Sequence, residues 1–364
     1  MINGEKNNVL TKYVNETLRQ GRGETDMGEV TIKDIARICG VGVSTVSRAM
    51  NNHPDINEET KLKVQKAIEE YHYIPNNSAR NLKRQESNTI AVLVQGMHNA
   101  FAGDMLTAGE LYVKKIGYSL YLQQVEEEED VMAVAAELVK EKRLKGLVFL
   151  GGRFQNLKER WKHLGVPFVI LTSLTEEPCS CVYVDDVEES RKMVNYLIQK
   201  GHRKIALVTT PDHLRDIGKL RKDGYLKALR ENGIEPKEEL IRRMDKEEKE
   251  FSISSGYDVV SRLLKDGVDF TAVYACSDYA AIGACKAIFD AGKSVPEDYS
   301  VAGYDGLEIG RYYHPEIATI SQPIHSMIEK GLDLLIQEIK GEKKYQKVIF
   351  DGELLEGGSV RNIS

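Results

Sequence analysis

The sequence has no long apolar run and few cysteines. No segment approaches the ~18–20 consecutive apolar residues that cross a bilayer. The first 30 residues mix Lys, Arg and Glu and lack the apolar core of a secretory signal. The five cysteines form no C-x-x-C pair, and the isolated Cys179-Ser-Cys181 does not predict a metal site. We therefore expect a cytoplasmic protein in which all the cysteines are reduced thiols.

Signatures of catalysis and of cofactor binding are also missing. Gly151-Gly152 lacks the other glycines of the G-x-G-x-x-G nucleotide fingerprint. The eight histidines show no H-x-x-x-H spacing, and no Ser/His/Asp set can be inferred. The acidic run VEEEED at 125–130 is typical of a solvated loop. We expect no enzymatic activity, no cofactor and no metal.

The chain carries a net negative charge, but its positive charges are unevenly distributed. The net charge of −6 excludes a uniformly basic surface for nucleic acid. Residues 30–85 nevertheless hold nine Lys/Arg and six Asp/Glu, a net of +3, so the remainder carries −9. This asymmetry sets residues 30–85 apart from the rest of the chain.

Residues 30–73 have the pattern of a small three-helix module. Apolar residues recur at helical spacing in 32–39, in 43–50 and again after Asn57. Gly40 permits a sharp turn between the first two helices. The outer face of the second helix has no acid, and such a helix fits the major groove of DNA. That face carries Ser44, Thr45, Ser47 and Arg48.

The longer remainder of the chain predicts an α/β fold. Residues 74–88 are polar and interrupted by Pro75, as in a linker. Over residues 89–364, short β-branched runs alternate with segments of helical periodicity, which predicts right-handed crossovers and mostly parallel sheets. Ligands in such sheets bind at the carboxyl ends of the strands.

Two stretches in the first quarter of the chain resemble the LacI/GalR family of bacterial transcription regulators. They are TIKDIARICGVGVSTVSRAMNN and EETKLKVQKAIEEYHYIPNNSARNLK, and the resemblance continues to about Val360. It implies an N-terminal helix-turn-helix headpiece and a two-lobed, periplasmic-binding-protein-like (type I) effector domain with Rossmann-like lobes.

The resemblance also implies domain boundaries. A poorly ordered extension at 1–29 precedes the headpiece at 30–73, and a hinge at 74–88 leads to the effector and dimerisation domain at 89–364. Within that domain, lobe one spans about 88–201 plus 323–345, and lobe two spans about 202–322 plus 346–364.

Several headpiece positions match residues that contact DNA in the family. Val43, Ser44 and Arg48 would read base edges, Asn51 and nearby hydroxyls would hold phosphates, and Leu82 would wedge into the minor groove and kink the duplex. The further candidates are Thr31, Thr45, Ser47, Asn76, Ala79 and Lys83. Gly42 departs from the family, which usually has a serine that caps this helix, because glycine offers no side-chain acceptor.

The effector residues likewise follow from alignment with the family. Alternatives remain for four of them: Asp278 and Asp305 could cap local structure, and Phe101 and Phe251 could belong to the core. The candidates are Asn99, Phe101, Arg153, Asp186, Arg215, Arg221, Phe251, Ser277, Asp278, Asp305 and Gln322. Carboxylates, arginine and aromatic rings suit a polyol such as a sugar, whereas Arg153, Arg215 and Arg221 together leave an acidic or phosphorylated ligand open.

The resemblance implies a homodimeric repressor. Two headpieces would bind a pseudo-palindromic operator, and a small effector, a sugar or sugar derivative, would alter operator affinity through the hinge. The alternative is a sugar-binding protein of a transport system, which the headpiece and the missing secretory signal disfavour. An enzyme of Rossmann type is disfavoured by the missing phosphate fingerprint.

Overall fold

The computed structural model describes residues 30–71, 73, 88–95, 100–126, 129–152, 160–211, 217–244, 251–342 and 345–364. The chain divides into two compact units, with the boundary between Gln85 and Glu86. The predicted extension at 1–29 and the hinge at 74–87 lie outside the described residues. Among the described helices, none combines the length and the apolar character needed to cross a membrane.

The described part of the first unit contains three helices around a small core. They are α1 (Ile32–Cys39), α2 (Val43–Met50) and α3 (Glu58–Glu70). Gly40 ends α1 with φ +65°, a left-handed conformation that suits glycine. The Asn57 side chain begins α3 by accepting a hydrogen bond from the Thr60 amide at 2.8 Å. The core residues are Ile35, Ala36, Cys39, Val46, Ala49, Val64, Ala67 and Tyr73.

The second unit begins with a parallel sheet that forms the first lobe. Its described strands are β1 (Thr89–Gln95), β2 (Ser119–Val125), β3 (Gly146–Gly151), β4 (Phe168–Leu171), β5 (Ser180–Val184) and β11 (Lys347–Phe350). Their spatial order is β11-β5-β4-β3-β1-β2, with every neighbouring pair parallel. The helices α4 (Ala100–Lys115) and α11 (Ile324–Ile339) cover one face, and α5 (Val131–Lys142) covers the other. The central strands β1, β3, β4 and β5 are buried and largely apolar, whereas the edge strands β2 and β11 are partly exposed.

A second parallel sheet organises the other lobe. Its described strands are β6 (Ile205–Thr209), β7 (Ile241–Arg243), β8 (Ala272–Ala275) and β9 (Ser300–Ala302), in the order β7-β6-β8-β9. One face packs against α6 (Asp186–Gln199) and α7 (Ile217–Glu231), and the other against α8 (Ile253–Lys265) and α9 (Asp278–Asp290). The short helix α10 (Glu308–Arg311) precedes β10 (Thr319–Ser321), which pairs antiparallel with β12 (Glu353–Leu355). Two Rossmann-like lobes therefore confirm the predicted α/β class.

The chain crosses between the lobes near residues 185, 322 and 351, and the first and third of these crossovers differ from the predicted boundaries. Helix α6 packs with Ile205, Leu207 and Tyr225 in the second lobe, so the first crossover lies near residue 185 and not near 201. Strand β11 pairs with β5 in the first sheet, although residues 346–364 were predicted to belong to lobe two. The correction follows from packing: α6 buries its apolar stripe on the second sheet, and β11 extends the edge of the first.

Two glycines bring α8 and α9 into close contact. A Cβ atom at Gly256 would overlap the backbone of Ala280, and one at Gly283 would overlap the carbonyl oxygen of Ile253. The two helix backbones therefore approach at a distance that only glycine permits. This contact holds Ser277 and Asp278, at the start of α9, in a fixed position beside the second sheet.

Candidate functional site

Helix α2 presents a polar face free of acids. Val46 and Ala49 are buried in the headpiece core, which turns Val43, Ser44 and Arg48 outward. Val43 is 41% exposed. Helix α2 begins after Gly42 without any side-chain cap. The cap has therefore not passed to Ser44, and the amides at the start of α2 receive no side-chain acceptor.

Two other predicted DNA contacts also have roles within the headpiece. The Thr31 hydroxyl donates to Asp34 Oδ2 at 2.6 Å, and its amide donates to the same oxygen at 3.0 Å. Both donors thus belong to a capping box at the start of α1. Asn51 Nδ2 donates to the Ser47 carbonyl oxygen at 2.6 Å and closes the end of α2. A phosphate contact by Thr31 would require its hydroxyl to leave Asp34.

One pocket in the second unit gathers six of the predicted effector residues. Its empty volume is about 390 Å³, which includes space open to solvent. Phe101 and Thr172 come from the first lobe, and Asp186 and Gln322 lie at two crossovers. The complete lining is Phe101, Thr172, Asp186, Ile217, Arg221, Phe251, Asp305 and Gln322.

Arg221 is the centre of a buried polar network. Its Nε donates to Asp186 Oδ1 at 2.9 Å, and its Nη2 donates to Asp305 Oδ1 at 3.2 Å. Its Nη1 donates to the Cys276 carbonyl oxygen, and the guanidinium lies 3.6 Å above the Tyr304 ring centre. Gln322 Nε2 donates to the same Asp305 oxygen at 2.9 Å. Arg221 bonds the crossover residue Asp186 directly, and it reaches the other crossover residue, Gln322, through Asp305. It therefore connects both to the second lobe.

Burial and charge act against each other in this network. Burial raises the pKa of Asp305 to about 6 although Arg221 lowers it, and burial likewise raises the pKa of Asp186. Burial by itself lowers the pKa of Arg221, but the charges of Asp305 and Asp186 raise that pKa by more than burial lowers it. The guanidinium therefore stays charged. The described ionisable lining is therefore one arginine between two aspartic acids whose pKa values are raised.

Backbone strain is concentrated around this pocket. Five described residues other than glycine have positive φ, and three of these line the pocket: Thr172 at 66°, Phe251 at 59° and Asp305 at 113°. Such conformations cost about 1–3 kcal/mol and persist where the surroundings enforce them. Thr172 carries a second cost, because its buried hydroxyl has no hydrogen-bond partner among the described residues.

Ser277 and Asp278 do not line the pocket, contrary to their prediction as effector contacts. The Ser277 hydroxyl caps α9 by accepting from the Ala280 amide at 3.1 Å. Asp278 is fully buried and accepts from Thr319 Oγ1 at 2.6 Å and from the Leu307 amide at 2.7 Å. Both residues therefore hold the second lobe together. Asp278 does not cap α9, which was the alternative for it, because Ser277 does so and Asp278 instead bonds Leu307 and Thr319.

Two pocket residues were missed from the sequence. Thr172 directly follows β4, and Ile217 is the first residue of α7. The rule that ligands lie beyond the carboxyl ends of strands could have found Thr172, whereas Ile217 carries no polar signal. Other predicted contacts lie outside the described residues: Asn76, Ala79, Leu82, Lys83, Asn99, Arg153 and Arg215.

Comparison with known families matches both units. Residues 31–76 match the family of bacterial regulatory proteins of the lacI type, and residues 194–360 match the periplasmic binding protein-like domain. The second match begins inside α6 and spans most of the second lobe.

Similar proteins cover both units together. The regulator MalR of Clostridium butyricum is 40% identical over 345 residues, which are 92% of this chain and all of that protein. A Lac repressor dimer bound to operator and the anti-inducer ONPF is 27% identical, with a TM-score of 0.73 over 92% of this chain and all of that one. A CelR–cellobiose complex is 26% identical, with a TM-score of 0.66 over 91% of this chain and 99% of that one. The chain therefore belongs to the LacI family of DNA-binding transcriptional regulators.

Proposed function

We propose that this regulator is a homodimeric repressor that binds a pseudo-palindromic operator and responds to a small neutral polyol, a sugar or glycoside. The dimer would place α2 of each headpiece in successive major grooves. The Lac repressor relative is described as a dimer on its operator, which supports this arrangement for a chain of the same fold. Effector binding would change how the two lobes sit and thereby change operator affinity.

The composition of α2 supports base reading by Val43, Ser44 and Arg48. Arginine can bond guanine O6 and N7 together, and an exposed valine can meet a thymine methyl group. Arg48 is exposed and stands on a helix with no acid. An acidic neighbour on this face would repel the phosphates, so its absence favours docking against DNA.

Selection of bound duplexes from a random pool, followed by fluorescence anisotropy at several salt concentrations, tests this assignment. Arg48→Ala is expected to weaken the selected site by about 1–3 kcal/mol and to relax preference at one base pair of each half-site. The matched control is Lys66→Ala, which removes one exposed cation from α3. If both variants lose only affinity and no preference, Arg48 contacts phosphate and not a base.

The charges of the described pocket favour a neutral polyol over an anion. Arg221 is already paired with Asp186 and Asp305, so it offers little to a phosphate or carboxylate. Two carboxylates, an amide and two aromatic rings suit hydroxyl groups and the apolar face of a sugar ring. The cellobiose complex of a relative supports the same class of ligand for this fold.

The observation that carries the effector proposal is Thr172. Its strained backbone and unpartnered hydroxyl are both costs to the unliganded protein, and they lie in the wall of the pocket. A ligand hydroxyl placed there would satisfy the threonine hydroxyl and recover part of the cost. We therefore assign Thr172 as a direct effector contact.

A thermal-shift screen of neutral sugars and glycosides, sugar acids and sugar phosphates tests the ligand class. A neutral sugar at 100 times its Kd should stabilise the protein by about 2.7 kcal/mol. Thr172→Val keeps the side-chain shape and removes the hydroxyl, so it should weaken that sugar about fivefold without loss of unliganded stability. A shift caused by anionic ligands alone would contradict the proposed class, and an unchanged Kd in Thr172→Val would remove Thr172 from the site.

A further inference from the structure

Two cysteines and one lysine meet at the edge of the first sheet, and none of them lines the effector pocket. Cys179 precedes β5 and Cys181 is its second residue. Their sulfur atoms lie 4.0 Å apart. The Nζ of Lys347, the first residue of β11, lies 3.2 Å from Cys181 Sγ and 3.9 Å from Cys179 Sγ.

The ammonium group of Lys347 is held in place by the backbone around it. Its Nζ donates to the carbonyl oxygens of Glu177 at 2.9 Å and Cys179 at 2.8 Å. Lys347 also pairs with Cys181 in the register of the two strands. An ammonium has three donors, so two carbonyl oxygens leave the third for the Cys181 sulfur. An ammonium group that donates to a cysteine sulfur in this way stabilises the thiolate.

The pair is electrostatically asymmetric. The hydrogen bond from Cys179 lowers the pKa of Cys181, and the Thr175 backbone and Lys347 lower it further. The same sulfur contact raises the pKa of Cys179, with burial and the Glu338 carboxylate adding to the effect. The Ser180 hydroxyl donates to Glu338, which is the other charged group near the pair. One sulfur is therefore the nucleophile and its neighbour remains a protonated thiol.

We propose that Cys179 and Cys181 form a redox site that reduces a small hydroperoxide and becomes a disulfide. The Cys181 thiolate attacks the peroxide, the O–O bond breaks, and the alcohol or water leaves with one proton. The resulting sulfenic acid loses its oxygen as water when Cys179 attacks the Cys181 sulfur and gives up its proton. Two electrons pass from the two sulfurs to the peroxide, so two thiols and one hydroperoxide yield one disulfide, one alcohol and one water.

Burial restricts the oxidant to a small molecule. Cys179 and Cys181 are 2% and 0% exposed, whereas Lys347, which covers them, is exposed. Movement of the lysine side chain would admit hydrogen peroxide. Two positions along an extended chain are about 6.6 Å apart, near the upper limit of the Cα separation in disulfides. The disulfide would be strained and therefore readily reduced, which makes the change reversible.

Peroxide treatment of the native full-length chain tests the proposal. After one equivalent of hydrogen peroxide, free thiols are blocked with N-ethylmaleimide in denaturant and the tryptic peptides are weighed. One peptide, residues 163–191, carries both cysteines. It should lose two hydrogens and resist alkylation, while the equally buried Cys276 and Cys285 remain fully alkylated. Oxidation of all buried cysteines at one rate would overturn the assignment.

Variants at position 347 test whether the charge of the lysine, and not the exposure of the thiols alone, sets the rate of disulfide formation. Lys347→Met should slow disulfide formation at pH 7 about tenfold or more, because the thiolate loses its cation, and Lys347→Arg should restore most of the rate. Equal rates in all three proteins would overturn the role of the lysine. As a check that needs no variant, alkylation of native Cys181 by iodoacetamide should have a midpoint below the ordinary thiol value of about 8.5. A midpoint at or above that value would also overturn the proposal.

Discussion

Arg221 combines a structural role with its place in the pocket. Its guanidinium compensates two buried carboxylates, Asp186 and Asp305, and bonds the Cys276 carbonyl oxygen. A ligand could use the outer edges of these groups only while the arginine keeps them fixed. Loss of Arg221 would therefore affect the fold before it affected ligand recognition.

Arg221→Ala is expected to lower the free energy of unfolding by about 3–5 kcal/mol, because it leaves two uncompensated carboxylates in the protein interior. Urea unfolding followed by circular dichroism measures this loss. The control is Arg230→Ala on the same helix, whose side chain is exposed. Equal stability of both variants would mean that Arg221 serves the ligand alone.

Asp278 should make the stability of the second lobe depend on pH. Burial raises the pKa of Asp278 to about 8, and the charge of Asp305 adds to the effect. An unfolded aspartate has a pKa of about 3.9. Between these values the folded state binds the extra proton, so stability falls as pH rises and the contribution is lost by about pH 8.

Asp278→Asn should flatten the fall of melting temperature between pH 6.5 and 8.5. The amide can still accept from the Leu307 amide, and Thr319 can turn its proton toward the Ile320 carbonyl oxygen, which is 3.5 Å away. Asp223→Asn, at an exposed position, should leave the slope unchanged. An identical slope in Asp278→Asn and wild type would assign the effect to other groups.

At the scale of elements, the start of α2 leaves its amides without a side-chain cap. Gly42 has φ −70°, and a Cβ atom there would meet only the Ser44 and Thr45 hydroxyl oxygens, at 3.6 and 3.8 Å. A serine would therefore fit and could accept from an orphan amide of the first turn. The glycine lowers the stability of the helix without any steric need for it.

Gly42→Ser should stabilise α2 by about 0.5 kcal/mol, measured by hydrogen exchange of the amides of residues 45–50. Gly40→Ser is the matched comparison, because the position is equally open but has φ +65°. That substitution should destabilise by about 1 kcal/mol through backbone strain alone. If Gly42→Ser also destabilised, the absence of the cap would have a cause other than space.

The contact of α8 with α9 depends on glycine at a point where two backbones touch. Gly283→Ala should lower the free energy of unfolding by more than about 3 kcal/mol, because the added methyl overlaps the Ile253 carbonyl oxygen. Gly103→Ala, within α4, meets no atom within 4 Å and should be neutral or stabilising by up to about 1 kcal/mol. Chemical denaturation of both variants compares the two helical glycines directly.

The sequence predicts these elements unevenly, for physical reasons. Long apolar runs such as Thr89–Gln95 identify buried strands directly. Ile241–Arg243, Lys347–Phe350 and Glu353–Leu355 were missed, because three or four residues at a sheet edge carry too little periodicity. Helix α6 was recognised, but its pattern does not show which sheet it covers.

At the scale of the whole molecule, six pocket residues from distant segments were found through the family resemblance. Phe101, Asp186 and Gln322 are separated by long stretches of chain, and only the two-lobed topology brings them together. The buried role of Asp278 depends on packing that a sequence pattern does not contain. The headpiece is the reverse case, because its exposed face follows from local periodicity alone.

The close packing around Gly352, at the third crossover, should affect how easily the lobes move relative to each other. At Gly352 a Cβ atom would lie 2.6 Å from Ile320 Cγ2 and 2.9 Å from Glu189 Oε2. Gly352→Ala should therefore hinder the rearrangement of the lobes on ligand binding and weaken the ligand identified by thermal shift at least threefold, while the half-maximal operator concentration without ligand, which needs no rearrangement, stays within about twofold. Isothermal titration and anisotropy separate the two. Equal losses in both assays would indicate misfolding.

The strained threonine in the pocket wall has a consequence for the history of this protein. Thr172 reduces stability twice, through its backbone and through its buried hydroxyl. A population selected only for survival at high temperature, with no effector to recognise, would be expected to replace it with asparagine or glycine, which tolerate that conformation. Such clones would outlast their ancestors on heating and would distinguish poorly between nutrients. Thr172 is therefore a position at which stability and the proposed recognition of a ligand are expected to oppose each other.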